Sequence, residues 1–117
     1  IIAARPDTSA SMSDPIDRFP DAAGELMLRG PAGAIECAVE LPEPDAARAG
    51  TAVICHPHPL HGGTMHNKVV TMIERSLREL GLRTVLFNFR GVGRSQGTFD
   101  HGQGELSDAA AALDSTR

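Results

Sequence analysis

The chain has 117 residues, 41% of them hydrophobic and 22% charged, a composition typical of one small globular domain. Its net charge of −4 and its 3% aromatic content, with neither Trp nor Tyr, argue against a nucleic-acid partner, because such surfaces need basic patches and aromatic platforms. No apolar run approaches the ~18 residues of a membrane span, so no membrane partner is expected. The two cysteines, Cys37 and Cys55, lie in strand-like runs and are expected to be buried reduced thiols, which favours a cytoplasmic protein.

The two ends of the sequence differ from its middle. Residues 1–18 predict a disordered N-terminal extension, since the first part is aperiodic and rich in Ala, Ser and Pro, and Met12 reads like a native start. Residues 19–117 are predicted to form a partial domain. At the other end, Asp114-Ser-Thr-Arg117 follows a helix-forming run without a stop signal, so the chain is expected to be cut there.

The first two predicted elements are strands. Gly24–Gly30 alternates between apolar and other residues, and Ala34–Leu41 does so strictly, which places Glu36 and Glu40 on its exposed face. The segment Gly30-Pro-Ala-Gly33 joins the two strands as an antiparallel hairpin.

Strands and helices then alternate. Thr51–Cys55 lacks polar residues and is predicted to be a strand buried on both faces. A helix is predicted over Asn67–Leu80, a buried strand over Leu82–Phe89, a Gly-rich loop over Arg90–Gly104 and a last helix over Glu105–Leu113. The apolar face of the first helix comprises Val69, Val70, Ile73, Leu77 and Leu80. This order predicts an α/β fold with parallel β-α-β units and the antiparallel hairpin at the edge of the sheet.

The turn after the third strand, Cys55-His-Pro-His-Pro-Leu-His-Gly-Gly63, is where an open α/β sheet places its chemistry. His56, His58 and His61 could bind a metal, since imidazole is a common zinc ligand, although no further ligand cluster follows. The segment Gly91–Gly97 suggests a dinucleotide site only weakly, because its glycine spacing does not match the fingerprint.

Acyl transfer is the third chemistry that this turn could serve, because backbone N–H groups there could stabilise an oxyanion. Pro57 and Pro59 have no N–H, so His58 is the first donor after the strand, and Leu60 and His61 are the next. The turn could also merely connect strand to helix, with His56 hydrogen-bonded in place.

Three motifs resemble the α/β-hydrolase superfamily, in particular a bacterial, lid-poor branch. His56-Pro-His-Pro-Leu-His-Gly-Gly-Thr-Met-His-Asn-Lys-Val-Val70 is similar to its oxyanion turn and first crossover helix. Phe89-Arg-Gly-Val-Gly-Arg-Ser95 is similar to the R-G-x-G-x-S turn after the next strand, and Phe99–Glu105 with Asp108 is similar to the approach to the second helix. Asn88 stands where many relatives carry Asp.

The resemblance implies the N-terminal half of an α/β-hydrolase fold, truncated before the nucleophile strand, with the Ser, Asp and His of the triad absent. The implied parent is a serine esterase-like enzyme that acts on a small ester, thioester or amide through an acyl-enzyme, without a cofactor or a metal. Its oxyanion donors are the backbone N–H of His58 and, as a possible second, that of Leu60. This chain alone is predicted to be inactive. The rival hypothesis is a non-catalytic α/β scaffold or binding module.

Two further expectations follow. Gly93-Arg-Ser-Gln-Gly97 matches G-x-S-x-G, but Ser95 lies too far from both strand and helix to be a nucleophile, so it is predicted to bond its own loop. Arg90 is likewise expected to anchor that loop. In the fold that the chain resembles, the open side of strand Thr51–His56 pairs with the missing nucleophile strand, so the fragment is expected to self-associate through this edge.

Overall fold

The computed structural model describes residues 14–57 and 63–116. Its strands are β1 (Gly24–Gly30), β2 (Gly33–Glu40), β3 (Thr51–Ile54) and β4 (Arg83–Phe87). Its helices are α1 (Lys68–Glu79) and α2 (Gln103–Asp114), and a short 3-10 turn spans Pro44–Ala46. Each strand and helix lies within a few residues of its predicted position.

The described strands form one mixed sheet in the order β1-β2-β4-β3. The hairpin β1-β2 is antiparallel and closes at the Gly30–Gly33 pair, and β2 runs antiparallel to β4. The strands β3 and β4 are parallel, as a β-α-β crossover through α1 requires. The predicted α/β fold, with an antiparallel hairpin leading into a parallel unit, is confirmed.

Some described residues that precede the predicted domain start at residue 19 contact the rest of the fold. Ile16 forms a parallel bridge with Leu28: its N–H donates to the Met27 carbonyl at 2.8 Å, and its carbonyl accepts from Arg29 N–H. Phe19 N–H then donates to the Ser115 carbonyl at 2.9 Å, which ties this segment to the end of α2. Residues 1–13 of the predicted extension, with Met12, lie outside the described residues.

Two apolar clusters hold the sheet between the helices. One cluster packs the hairpin and β4 against Phe19 and against Ala112 of α2, and its strand members are Leu26, Leu28, Ile35, Cys37, Val39, Val85 and Phe87. The other, on the opposite face, joins α1 to β3 and β4 through Ile54, Met65, Val70 and Leu86. Both faces of β4 are therefore buried, as its sequence predicted.

The prediction that β3 is buried on both faces is wrong. Thr51, Ala52 and Val53 are only half-buried, and Cys55 just beyond the strand is exposed, whereas Cys37 is buried as expected. The reason is position, because β3 is the edge strand of the sheet formed by the described residues. Hydrophobicity along a strand does not reveal whether a neighbour covers it.

The predicted apolar face of α1 is only partly buried. Val70 is buried and Leu77 packs against the second cluster, but Val69, Ile73 and Leu80 are 60%, 44% and 58% exposed. Among the described residues the sheet ends at β3, so no surface lies under this part of the helix. No helix of the described residues is both long and apolar enough to cross a bilayer.

Candidate active site

The carboxyl ends of the parallel strands β3 and β4 meet at one edge of the sheet, where His56 leaves β3. His56 is 6% exposed, and both of its ring nitrogens are bonded. Nδ1 lies 2.6 Å from the Pro57 carbonyl oxygen, and Nε2 lies 3.0 Å from the Phe89 backbone nitrogen. Since Phe89 N–H can only donate, Nε2 accepts and Nδ1 carries the proton, which is the neutral tautomer. Burial lowers the pKa of His56, and the bond to Pro57 opposes this only in part.

The far side of the turn is fixed at Met65. Its side chain is fully buried, and its N–H donates to Asn88 Oδ1 at 2.8 Å. Two residues later Asn67 caps α1, since its Oδ1 accepts from Val69 N–H at 2.8 Å and Val70 N–H at 3.4 Å. The predicted helix start at Asn67 is confirmed. Helix α1 thus begins at the point where the turn rejoins the sheet.

The predicted oxyanion donors lie between these two fixed points. His58 and Leu60 are outside the described residues, as is His61. Their role therefore stays a prediction from the sequence. The described flanks, His56 and Met65, both bond to the loop that begins at the end of β4.

Ser95 is buried, and its hydroxyl both donates and accepts a hydrogen bond within the fold. Oγ donates to the Asn88 carbonyl at 2.6 Å and accepts from Glu36 N–H at 2.8 Å. Gln96 extends this contact to β2: its N–H donates to the Ala34 carbonyl, and its Oε1 accepts from Ala34 N–H, both at 2.8 Å. The loop therefore docks on β2 through Ser95, and the prediction that this serine bonds its own loop is confirmed.

Arg90 anchors the same loop to α2, as predicted. Asp108, whose side chain is 1% exposed, accepts from the Arg90 backbone N–H at 2.9 Å and from its guanidinium at 2.9 and 3.2 Å. These hydrogen bonds raise the pKa of Arg90 against the opposing effect of burial. A Cβ on Gly104 would overlap the Arg90 guanidinium, so any larger residue there would require the guanidinium to move.

Glu105 stabilises the start of α2. Its carboxylate accepts from Asp100 N–H and Gly102 N–H, both at 2.9 Å. Burial raises its pKa, but these backbone donors and the charge of Arg90 outweigh that effect, so the pKa of Glu105 is lowered overall. The carboxylates of Glu105 and Asp108 therefore both make hydrogen bonds that stabilise the fold.

His56, one of the three histidines considered as metal ligands, is not available to bind a metal. His56 cannot bind an ion while Nδ1 bonds Pro57 and Nε2 bonds Phe89, and no cluster of three potential ligand side chains occurs within residues 14–57 and 63–116. His58 and His61 lie outside that part of the chain.

The sequence pattern predicted the wrong environment for Glu36. Strict alternation along β2 put it on the exposed face, yet it is 8% exposed and bonded within the structure. The loop after β4 covers that face. The only sequence signal for this cover was the R-G-x-G-x-S motif, whose serine and glycines imply a compact loop that must dock somewhere.

The strand order, the α1 crossover and the bonded loop after β4 together define the N-terminal portion of an α/β-hydrolase fold. Solved structures confirm this class. An α/β serine hydrolase without a lid from Xanthomonas campestris is 56% identical, with a TM-score of 0.76 over 80% of this chain and 44% of that protein. An α/β serine hydrolase homologue from Coxiella burnetii is 49% identical, with a TM-score of 0.77 over 82% of this chain and 46% of that protein.

Among curated proteins, an uncharacterized protein of Rickettsia prowazekii (strain Madrid E) is 44% identical over 90 residues, which are 77% of this chain and 37% of that protein. No family model matches the chain. The chain thus spans less than half the length of each of these relatives. It is homologous to the N-terminal portion of α/β serine hydrolases.

Proposed function

We propose that this chain is the oxyanion-bearing part of a serine hydrolase that cleaves a small ester, thioester or amide through an acyl-enzyme. The backbone N–H of His58, with that of Leu60 as a second donor, stabilises the negative charge that develops on the substrate oxygen. The nucleophile, its general base and the orienting carboxylate come from polypeptide beyond the part described here. No cofactor or metal takes part in this proposal.

The observation that carries the proposal is the double anchoring of the turn at the carboxyl ends of β3 and β4. His56 holds its entry through Phe89 N–H at 3.0 Å, and Asn88 holds its exit through Met65 N–H at 2.8 Å. Backbone donors stabilise a transition state only if they are fixed before the charge develops. A turn that merely connected a strand to a helix would not need both flanks bonded to the same neighbouring loop.

The side chains around the turn support the same reading. Ser95 and His56 would be the natural nucleophile and base among the described residues, yet each already makes two hydrogen bonds. Both side chains bond backbone groups and so stabilise the loop conformation. The groups left to act on a substrate at the carboxyl ends of β3 and β4 are therefore backbone N–H groups. A cytoplasmic location is part of the proposal and rests on the two free thiols, Cys37 and Cys55.

The test uses the protein encoded by the full reading frame, a p-nitrophenyl ester and a fluorophosphonate probe that labels activated serines. We expect turnover, and labelling of a serine other than Ser95. His58→Ala should retain most activity, whereas His58→Pro removes the N–H and should lower kcat about 100-fold or more.

Equal losses in these two variants would show that the imidazole acts, and the oxyanion assignment would fail. Absence of both turnover and labelling would instead support the rival function, a non-catalytic α/β scaffold or binding module.

A further inference from the structure

Arg83 begins β4, and its guanidinium joins three parts of the chain that are far apart in sequence. Nε donates to Thr51 Oγ1 at the start of β3 at 2.9 Å, and Nη2 donates to the Thr116 carbonyl, just beyond α2, at 2.9 Å. Nη1 donates to the Pro20 carbonyl at 3.2 Å and to Asp21 Oδ1 at 2.9 Å. The Arg83 side chain is only 13% exposed. One largely buried side chain therefore connects the amino end of the sheet to the end of α2 and to residues that precede β1.

Residues 14–21, which we call the entry strap, lie between β1 and the end of α2. Ile16 bridges β1, and its N–H donates to a β1 carbonyl at 2.8 Å. Phe19 is 7% exposed and packs in the apolar cluster that includes Ala112 of α2. Its N–H donates to the Ser115 carbonyl at 2.9 Å. Release of the strap would therefore uncover part of the core and remove contacts from the end of α2.

The bonds from Arg83 to backbone carbonyls carry more weight than its ion pair. The Asp21 side chain is 96% exposed, so water and salt screen its charge and the pair contributes little. The carbonyls of Pro20 and Thr116 accept from a charged donor in a less exposed position, where hydrogen bonds of this kind are strong. A planar guanidinium can reach both carbonyls with separate nitrogens, whereas a lysine has only one nitrogen.

We propose that Arg83 couples the entry strap to the end of α2, so that the two segments open and close together as one unit. Proteins open locally in such cooperative units, each with its own opening free energy. The unit lies at the amino ends of β3 and β4, opposite the candidate active site, and does not depend on the proposed hydrolase function. An open strap presents its backbone to proteases, so Arg83 sets how readily the N-terminal residues can be removed.

The experiment measures amide hydrogen exchange in the full-length protein. Phe19 reports on the strap, and Ser115, whose N–H donates to the Ala111 carbonyl, reports on the end of α2. Because amides that open together are equally protected, the protection factors of these two amides should agree within about twofold. Ile16→Pro removes the N–H at the far end of the strap and should speed exchange at both amides about fivefold or more. In Arg83→Gln both amides should exchange about tenfold faster than in wild type, and adding Ile16→Pro should then speed Phe19 but change Ser115 less than about twofold.

Two matched controls separate this coupling from a general loss of charge. Arg29→Gln removes the other arginine–aspartate pair of the strap, in which Arg29 Nε lies 3.0 Å from Asp17 Oδ1 and both side chains are largely exposed. Asp21→Asn removes only the exposed partner of Arg83. Each control should change the exchange rate of Ser115 less than about twofold.

Limited proteolysis gives an independent measurement. Arg18 lies in the strap and Arg48 lies in the connection between β2 and β3, and both residues are exposed. A protease binds several residues of extended backbone, so cleavage after Arg18 requires the strap to open. In Arg83→Gln, trypsin cleavage after Arg18 should become about tenfold faster relative to cleavage after Arg48, and an unchanged ratio would contradict the proposal.

Three exchange results would also overturn the proposal. One is a Ser115 amide that does not respond to Ile16→Pro when Arg83 is present; another is a response of equal size with and without Arg83→Gln. The third is an Arg83→Lys protein in which both amides exchange within about threefold of wild type, since lysine keeps the charge but cannot reach both carbonyls. If Arg83→Gln does not fold, Arg83→Lys takes its place in the same comparisons.

Discussion

The ion pair between Arg90 and Asp108 should be the polar contact on which the stability of this fold depends most. The test substitution is Asp108→Asn, which preserves shape and removes the charge. Asp108 now accepts three hydrogen bonds, all from Arg90, through two oxygens that are almost inaccessible to solvent. An asparagine keeps one of these oxygens and turns an NH2 toward a donor of the guanidinium.

The expected loss follows from that geometry. Breaking a buried ion pair by removing one partner costs about 3–5 kcal/mol, because the remaining charge is left buried and unpaired. Arg90 can keep two of its three bonds, one from its backbone N–H and one from Nε, and its side chain is 12% exposed, so the lower end applies, about 3 kcal/mol. In urea unfolding this corresponds to a midpoint about 1–2 M lower.

The assay is urea unfolding followed by far-UV circular dichroism, with a stabilising osmolyte in every sample so that the folded baseline is measurable. The matched control is Asp17→Asn, since Asp17 also pairs with an arginine, at 3.0 Å, but both side chains are largely exposed at 75% and 62%. That substitution should change stability by less than about 1 kcal/mol. Gly104→Ala approaches the buried pair from the helix side and should destabilise in the same direction. If Asp108→Asn costs no more than Asp17→Asn, the reasoning from burial is wrong.

Three further outcomes are expected. Burial lowers the pKa of His56, so as pH falls below about 6.5 the unfolded chain binds a proton that the folded chain does not, and the free energy of unfolding falls with pH until the folded pKa is reached. His56→Gln should flatten this part of the pH–stability curve. The chain of 117 residues alone should hydrolyse no p-nitrophenyl acetate above buffer, and turnover that disappeared in Ser95→Ala would contradict the structural role of that serine. We also propose that the chain alone self-associates at micromolar concentration through the apolar edge of β3; sedimentation velocity should show less association in Ala52→Lys than in Leu106→Lys, and a monodisperse wild-type monomer would refute this.

The local pattern of the sequence was enough to predict the elements and their order. Period-two and period-3.6 patterns report which residues share a face, and glycine and proline report where the chain turns, so the hairpin and the crossover through α1 were predicted almost to the residue. The same patterns do not report what covers a face. Glu36 alternates like a surface residue and is buried by a loop about 60 residues away, while Ile73 repeats like a core residue and is 44% exposed.

For the candidate site, too, the sequence predicted local roles but not long-range partners. The structural role of Ser95 could be predicted because the serine lies several residues from both the preceding strand and the following helix, whereas a nucleophile elbow joins the two directly. The partners of Arg90 and Ser95 could not be predicted, because Asp108 and Glu36 reach them across long separations in the chain. That the Asn88 amide would connect β2 to Met65 was equally hidden, since nothing in the alternation of β4 distinguishes a bridging amide from a solvent-facing one.

The polar side chains at this edge of the sheet hold the main chain in place, which supports the proposal that backbone groups supply the chemistry of this part of the protein. Among the described residues, every buried side-chain nitrogen or oxygen has a hydrogen-bond partner. His56, Ser95 and Asn88 each bond a backbone group, so the side chains with catalytic potential are used to hold the main chain in place. Such an edge offers little freedom for proton transfer, but it offers the fixed geometry that an oxyanion site needs, because donors that are already oriented require no reorganisation when charge develops. The proposed function thus divides the work: this part of the fold is proposed to supply rigid backbone dipoles, and the reactive side chains are proposed to come from elsewhere in the protein.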